Sequence, residues 1–231
     1  MTDDDRTLRL SHELPRGRHN LPSEVVIRSQ RERMIDAVIE VVAAKGYAAA
    51  TVTDVVKAAG ISRKTFYEQF ADKDECFIAA YDEIIRYLFQ WTSEAYAKPG
   101  PWASRVAAGL RVILDALASR PTLARFCVLE ILAAGPRALA RRDEVMRTFG
   151  DFFAPGVEEA PKGVRIPAAA ADGVIGGIYS IVYDEILHER TRELPRLAPD
   201  LVYVALAPYV GPVAAARQAE IVKAAAADEA A

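Results

Sequence analysis

The sequence predicts an all-α protein, and three observations carry that expectation. From Ile27 onward apolar residues recur at three- and four-residue spacing, and no two-residue alternation lasts for more than a few positions. Prolines and glycines mark the breaks between these stretches, at Lys98-Pro99-Gly100-Pro101, at Pro121 and at Gly135-Pro136. Capping residues stand where helices should begin, Thr51 three residues before Asp54 and Asp72 three before Glu75. With 52% hydrophobic residues in 231, an ample core can form, either as one long domain or as a small domain joined to a larger one.

The first 27 residues lack helical periodicity and contain Pro15 and Pro22. Within them Pro15-Arg16-Gly17-Arg18-His19-Asn20 is a short basic stretch. It reads as a solvated tail, given Asp3, Asp4, Asp5 and Glu13 nearby, or as an arm that touches a DNA minor groove or phosphates. The first helix should run from Ser23 or Ile27 to Lys45, with Met34, Ile35, Val38, Val41 and Val42 as its buried stripe and Gly46 at its end. The next begins after Thr51, with Val52, Val55, Val56 and Ala59 on one face, and stops at Gly60, where a left-handed cap favours glycine. Ser62 is placed to cap a third helix, whose Phe66 and Phe70, with Ile61 just before, can pack on the valine face. Arg63, Lys64, Tyr67 and Glu68 are left facing outward.

Two amphipathic helices joined by a glycine turn fit an ordinary helical hairpin. With an exposed basic and hydroxyl face they also have the pattern of a DNA-binding helix-turn-helix. The net charge of −3 argues against wholesale coating of nucleic acid, but Lys57, Arg63 and Lys64 outnumber Asp54 between Thr51 and Tyr67, so this segment is locally basic.

Behind it, a long helix from Asp72 to about Ala97 carries Phe77, Ile78, Tyr81, Ile84, Ile85, Leu88 and Phe89. It joins the helix-turn-helix to the C-terminal helices and is the natural transmission element. Further helices are expected over Trp102–Ser119, from Pro121 to near Gly135, and from Pro136 to about Phe153, the last basic on one side. Pro155–Pro167 reads as a loop, followed by helices over Ala168–Arg190 and Leu197 to about Val210, and an alanine-rich, fraying helical tail from Val213. Gly173, Gly176 and Gly177 lie inside a helix, where each glycine costs roughly 1 kcal/mol relative to alanine, so close approach of a partner helix is expected to offset the loss. The stretch 201–211, LVYVALAPYVG, is apolar nearly all round and must be buried on several sides, in a core or between subunits.

Several functions find no support. Cys76 and Cys127 are too few and too far apart for a disulfide framework or a zinc site, and both sit among apolar neighbours. His12, His19 and His188 have no metal-site spacing, and Asp184, Glu185, His188 and Glu189 read as a surface charge cluster. No nucleophile elbow, P-loop or dinucleotide fingerprint occurs, so neither enzymatic activity nor a cofactor nor a metal is expected. No apolar run reaches membrane-span length and the MTDDD start is unlike a signal peptide, which points to a cytoplasmic protein.

The run RERMIDAVIEVVAAKGYAAATV together with SRKTFYEQFADKDECF closely resembles the N-terminal domain of the tetracycline-repressor (TetR) family of bacterial regulators. The matching features are Gly46-Tyr47, Thr51-Val52, Ala59-Gly60-Ile61-Ser62, Thr65-Phe66-Tyr67, Phe70 and Asp72-Lys73-Asp74-Glu75, between Arg31 and Tyr81. The resemblance implies an N-terminal three-helix helix-turn-helix domain and a C-terminal helical ligand-binding and dimerisation domain. In this sequence that division is a flexible arm over 1–22, a DNA-binding domain over 23–75 and a regulatory domain over 76–231. It further implies a homodimer, joined by a four-helix interface of the last two long helices of each protomer, bound to a palindromic operator in double-stranded DNA. DNA contacts fall to Thr51, Thr53, Arg63, Lys64, Thr65, Tyr67 and Lys73, with Thr51 and Lys73 resembling phosphate-contacting positions at helix N-termini. The function implied is a ligand-responsive repressor.

The C-terminal region is larger than a dimerisation surface requires, and it carries bulky aromatics on candidate core helices. A small, largely apolar ligand is therefore expected there, walled by Phe89, Trp102, Phe126 and Tyr179 and anchored by Tyr183 or Glu130, although each of these residues also suits plain core packing. The alternative to the whole reading is a helical protein-interaction adaptor that does not bind DNA.

Overall fold

The computed structural model describes residues 23–229, so the expected arm over 1–22 lies outside the described residues. Eleven α-helices occur among the described residues, with no strand. They are α1 (Ser23–Lys45), α2 (Val52–Ala59), α3 (Arg63–Gln69), α4 (Lys73–Tyr96), α5 (Trp102–Ser119), α6 (Pro121–Arg125), α7 (Ile131–Ala133), α8 (Pro136–Gly150), α9 (Ala170–Leu187), α10 (Ala198–Val210) and α11 (Pro212–Glu229). The expected helix from Pro121 to Gly135 is interrupted: α6 passes into a π-turn over Phe126–Glu130 before α7. A 3-10 segment over Asp151–Val157 extends α8, and another over Thr191–Leu197 leads into α10. The tail forms a continuous helix, α11, among the described residues.

The chain forms two compact units, one from the residues up to Glu83 with Glu130–Leu139, the other from Ile84–Leu129 with Ala140 onward. The chain thus passes between units within α4, at the end of the π-turn and within α8.

In the first unit α1 buries Met34, Ile35, Val38 and Val42 against Val55, Val56 and Ala59 of α2. Phe66 and Phe70 of α3 complete the core, with Cys76, Phe77, Ala80 and Tyr81 from the start of α4. Asp72 caps α4 through the Glu75 N–H at 2.7 Å, while the Glu75 carboxylate reaches past Asp72 to accept from the Ala71 N–H. The capping pair therefore closes one residue earlier than the usual reciprocal box.

In the second unit Leu110, Leu114 and Leu117 of α5 meet Leu194 and the Leu201, Val202 and Leu206 face of α10, and α11 packs along α10. The stretch expected to be buried on several sides is largely a core helix, with Tyr203 and Pro208 left exposed. Trp102, Phe153 and Tyr209 form an aromatic cluster, with Trp102 5.3 Å from Tyr209 and Phe153 stacked 5.7 Å from the same ring. The Trp102 indole N–H donates to the Phe152 carbonyl at 3.1 Å, and so does the Tyr96 hydroxyl.

Gly156 makes this cluster possible. A Cβ there would overlap the Trp102 ring and stand 2.9 Å from a Tyr209 ring carbon. Gly156→Ala should therefore cost about 1–3 kcal/mol through overpacking and displace the indole. Urea unfolding and a shift in tryptophan emission would register both, whereas an unchanged midpoint and spectrum would mean that the ring has room to move.

Candidate nucleic-acid interface and regulatory residues

Local sequence chemistry builds the helix-turn-helix as its spacing predicts. The Thr51 hydroxyl accepts the Asp54 N–H at 3.2 Å and the Asp54 carboxylate accepts the Thr51 N–H at 2.9 Å, a complete capping box. Lys45, at the end of α1, places its ammonium 2.8 Å from Asp54. That bond first, and the Thr51 hydroxyl second, hold the Asp54 carboxyl down at about 2. Gly60 takes the left-handed conformation (φ 63°, ψ 38°) and its N–H closes α2 on the Lys57 and Val56 carbonyls. Ser62 caps α3 by accepting the Thr65 N–H at 3.0 Å.

α3 then divides cleanly. Phe66 is fully buried and Phe70 nearly so, with their rings 5.7 Å apart and the Arg31 guanidinium 4.5 Å over the Phe70 ring. Arg63, Lys64, Tyr67 and Glu68 face solvent, and Tyr67 is half exposed with its ring edge-on to Phe66. Lys64 approaches Glu68 only at 3.8 Å with its side chain 88% exposed, so that pair holds the lysine weakly and leaves it available. Thr53 is also exposed, near the start of α2.

Two of the expected DNA contacts have structural duties. The Thr65 hydroxyl lies 2.9 Å from that of Ser62, inside the cap. The Lys73 ammonium donates to the Tyr47 and Ala50 carbonyls, both at 2.9 Å, and sits 3.9 Å over the Tyr47 ring. It fastens the turn between α1 and α2, with one donor remaining.

Residues 34–80, from the buried stripe of α1 to the first turns of α4, match the family model described as "Bacterial regulatory proteins, tetR family". Over that stretch the chain is similar to the tetR family. It is 26% identical over 210 residues to the HTH-type transcriptional regulator EthR of Mycolicibacterium smegmatis, covering 83% of this chain and 88% of that protein. Among solved structures, the fatty acid degradation regulator FadR of Bacillus halodurans shares the fold with a TM-score of 0.68 at 19% identity, covering 77% of this chain and 94% of that one. FadR of Bacillus subtilis, solved in complex with stearoyl-CoA, gives 0.66 at 20% identity, over 78% and 97% of the two chains. These relatives are transcriptional regulators and not enzymes.

The expected regulatory residues fall into separate groups. Phe89 lies edge-on to Phe149 at 5.8 Å and tilted against Phe152 at 5.5 Å, and Trp102 belongs to the Phe153–Tyr209 cluster. Phe126 is buried in the π-turn, two residues before Val128, whose carbonyl accepts the Tyr179 hydroxyl at 2.8 Å. Tyr183 is half-buried one turn further along α9. Cys127 is buried and free, and burial pushes its thiol up; Cys76 is likewise buried and free, its thiol pushed up to about 12 by the same cause. Among the described residues no group of His, Cys, Asp and Glu is arranged to hold a metal, and no helix is long and apolar enough to cross a membrane. His188 and Asp184 are exposed, and Arg190 ties Asp184 and Glu185 into a surface ion cluster.

Glu130 is placed in the first unit. It is only 7% exposed, and its carboxylate accepts the Tyr47 N–H at 2.8 Å across 83 residues of sequence. Tyr47 is held on other sides by Phe77 edge-on at 4.9 Å and by Asp74, which accepts its hydroxyl; burial first and that bond second raise the phenol well above its ordinary range. Arg137 pairs with Asp72 at 3.0 Å in the same unit. Sequence reasoning offered no pairing signal for these contacts, since they join segments far apart in the chain. Glu130→Ala should leave the buried Tyr47 N–H without its carboxylate acceptor and cost about 1–3 kcal/mol. Denaturant titration and amide exchange at Tyr47 would test this; unchanged protection at Tyr47 would show that another acceptor takes over.

Proposed function

We propose that this regulator binds a palindromic operator in double-stranded DNA as a homodimer, acts in the cytoplasm as a repressor, and is released by a small, largely apolar ligand. The observation that carries the reading is the division of α3, which buries Phe66 and Phe70 and presents Arg63, Lys64 and Tyr67 to solvent on an otherwise rigid platform. In this assignment Lys64 and Tyr67 meet the major groove or its phosphates and Arg63 assists. Thr65 approaches base edges from within its cap. Thr51 and Thr53 meet phosphate near the start of α2, and Lys73 offers phosphate its remaining donor.

Dimerisation is supported by α9. No atom lies within 4 Å of where a Cβ would stand on Gly173, Gly176 or Gly177, so their cost to the helix is not offset within the chain. Ser180, Ile181 and Leu187 continue the exposed side of the same helix. A second copy of α9 laid on this stripe would account for the glycines and give the two-fold symmetry a palindrome requires.

Ligand control is proposed to use Phe89, Trp102, Phe126, Tyr179 and Tyr183 in the second unit. α4 is one covalent route to the DNA-reading unit, and the π-turn ending at Glu130 is another. A ligand that weakens operator binding a hundredfold must favour the non-binding state by ~2.7 kcal/mol, and saturating operator must weaken ligand binding by the same factor.

Lys64→Ala and Tyr67→Phe should each reduce operator affinity by about 1–3 kcal/mol where they contact bases, and wild-type binding should weaken steeply with salt. Fluorescence anisotropy on operator duplex, found by selection from genomic fragments, measures both. Affinity that neither variant changes would remove α3 as the reading helix. Gly176→Leu should break the dimer, which light scattering coupled to size exclusion would show. A variant that remains dimeric with wild-type operator affinity would place the subunit contact elsewhere.

A further inference from the structure

The second unit holds a cation that its own fold does not fully use. Arg142, on α8, is withdrawn from water to 22% side-chain exposure, and its guanidinium carbon lies 4.2 Å over the Tyr179 ring. One terminal nitrogen, Nη1, pairs with Asp143 at 2.8 Å toward solvent. Its Nε is shut off from solvent and has no hydrogen-bond partner among the described residues. A donor on a charged group left unpaired in a protein interior costs about 1–3 kcal/mol or more. The Nε side of a guanidinium is also the edge that, with one terminal nitrogen, grips a carboxylate through two parallel bonds.

The surroundings fit a single negative charge with an apolar body. Tyr179 gives its hydroxyl proton to the Val128 carbonyl, and burial raises its phenol against the lowering pull of a hydrogen bond and charge from Arg142, so it stays neutral and offsets none of the guanidinium's charge. Tyr183 and the buried Cys127 are the other titratable groups near Tyr179, and Cys127 stays a thiol because burial pushes it up. The one carboxylate paired with Arg142, that of Asp143, is 58% exposed at the opposite nitrogen. Phe126, Cys127 and Val128 of the π-turn supply buried apolar surface beside Tyr179.

The geometry points to Arg142, stacked on Tyr179, as the anion-binding end of the ligand site, and to an amphipathic monocarboxylate as the ligand class. This rests on the reading above that the second unit binds a small apolar ligand, and it adds the charged head that such a ligand carries. A carboxylate pairing with the unpartnered Nε donor offsets the guanidinium's charge, while its hydrocarbon body takes the apolar side.

The test uses the full-length protein and straight-chain acids from hexanoate to hexadecanoate, the matching primary alcohols and the matching acyl-CoA thioesters, all below their micelle-forming concentrations. Calorimetric titration should show at least one acid binding the wild type at least tenfold more tightly than its alcohol. Arg142→Met should remove that preference, and Arg142→Lys, which keeps the charge but not the fork, should retain only part of it. Circular dichroism melting checks that each variant is folded, and if Arg142→Met does not fold, the lysine variant and the wild-type preference for acid over alcohol decide. Equal binding of acids and alcohols, or an acid affinity that Arg142→Met leaves intact, overturns the carboxylate site while the apolar-ligand reading survives. Binding of thioesters alone overturns it in favour of a phosphate-bearing headgroup. Binding of none of the three series overturns both readings.

Discussion

The first unit depends on a buried carboxylate having something to hold. Glu130 is almost wholly removed from water, and a carboxylate in that position is tolerable only when it is hydrogen-bonded. Its partner is the Tyr47 N–H, just past the end of α1. Tyr47 in turn anchors the start of α4 through Phe77 and Asp74, and Lys73 spans the turn by bonding the Tyr47 and Ala50 carbonyls. One residue therefore ties together the end of α1, the turn into α2, the beginning of α4 and a segment from much later in the chain.

The same economy explains the recognition helix. Seven residues are too few to form a stable helix in water, so α3 exists because Ser62 caps it and Phe66 and Phe70 bury one side. The outward residues Arg63, Lys64 and Tyr67 need not help to hold the helix. Thr65 and Lys73 differ in this respect, since each already serves the fold. Replacing either would disturb the fold itself.

The all-α class and most helix limits were legible because periodicity and capping act over a few residues. Thr51 with Asp54, Gly60 and Ser62 specify their helix ends by local chemistry alone, and the structure builds each as the spacing demands. The similarity to the tetR family was legible for the same reason, as the matching motif lies in one continuous stretch. The π-turn was not, because the apolar spacing from Pro121 to Gly135 fits an unbroken helix, and the bond from Tyr179 to Val128 comes from another element. Nor could the sequence indicate that Glu130 lies at Tyr47, or that Arg142 stacks on Tyr179. Both pairings are set by tertiary packing between distant segments, and aromatic residues such as Trp102 and Phe126 look alike in sequence whether they fill a core or line a site.

The π-turn is the place where these long-range contacts meet along the chain. A π-turn carries one more residue than the α-helical turn it replaces, so it is a discrete alternative to α-helix and not a small bend in it. Tyr179 bonds the third of its five residues, Val128, and Glu130 is the last. Were the turn to take α-helical pairing, the side chain that follows it would change direction by about 100°, the angle of one helical residue. Glu130 could not stay on the Tyr47 N–H through such a rotation. The hydroxyl of Tyr179 and the carboxylate of Glu130 therefore hold the same backbone segment, one from its middle and one from its end.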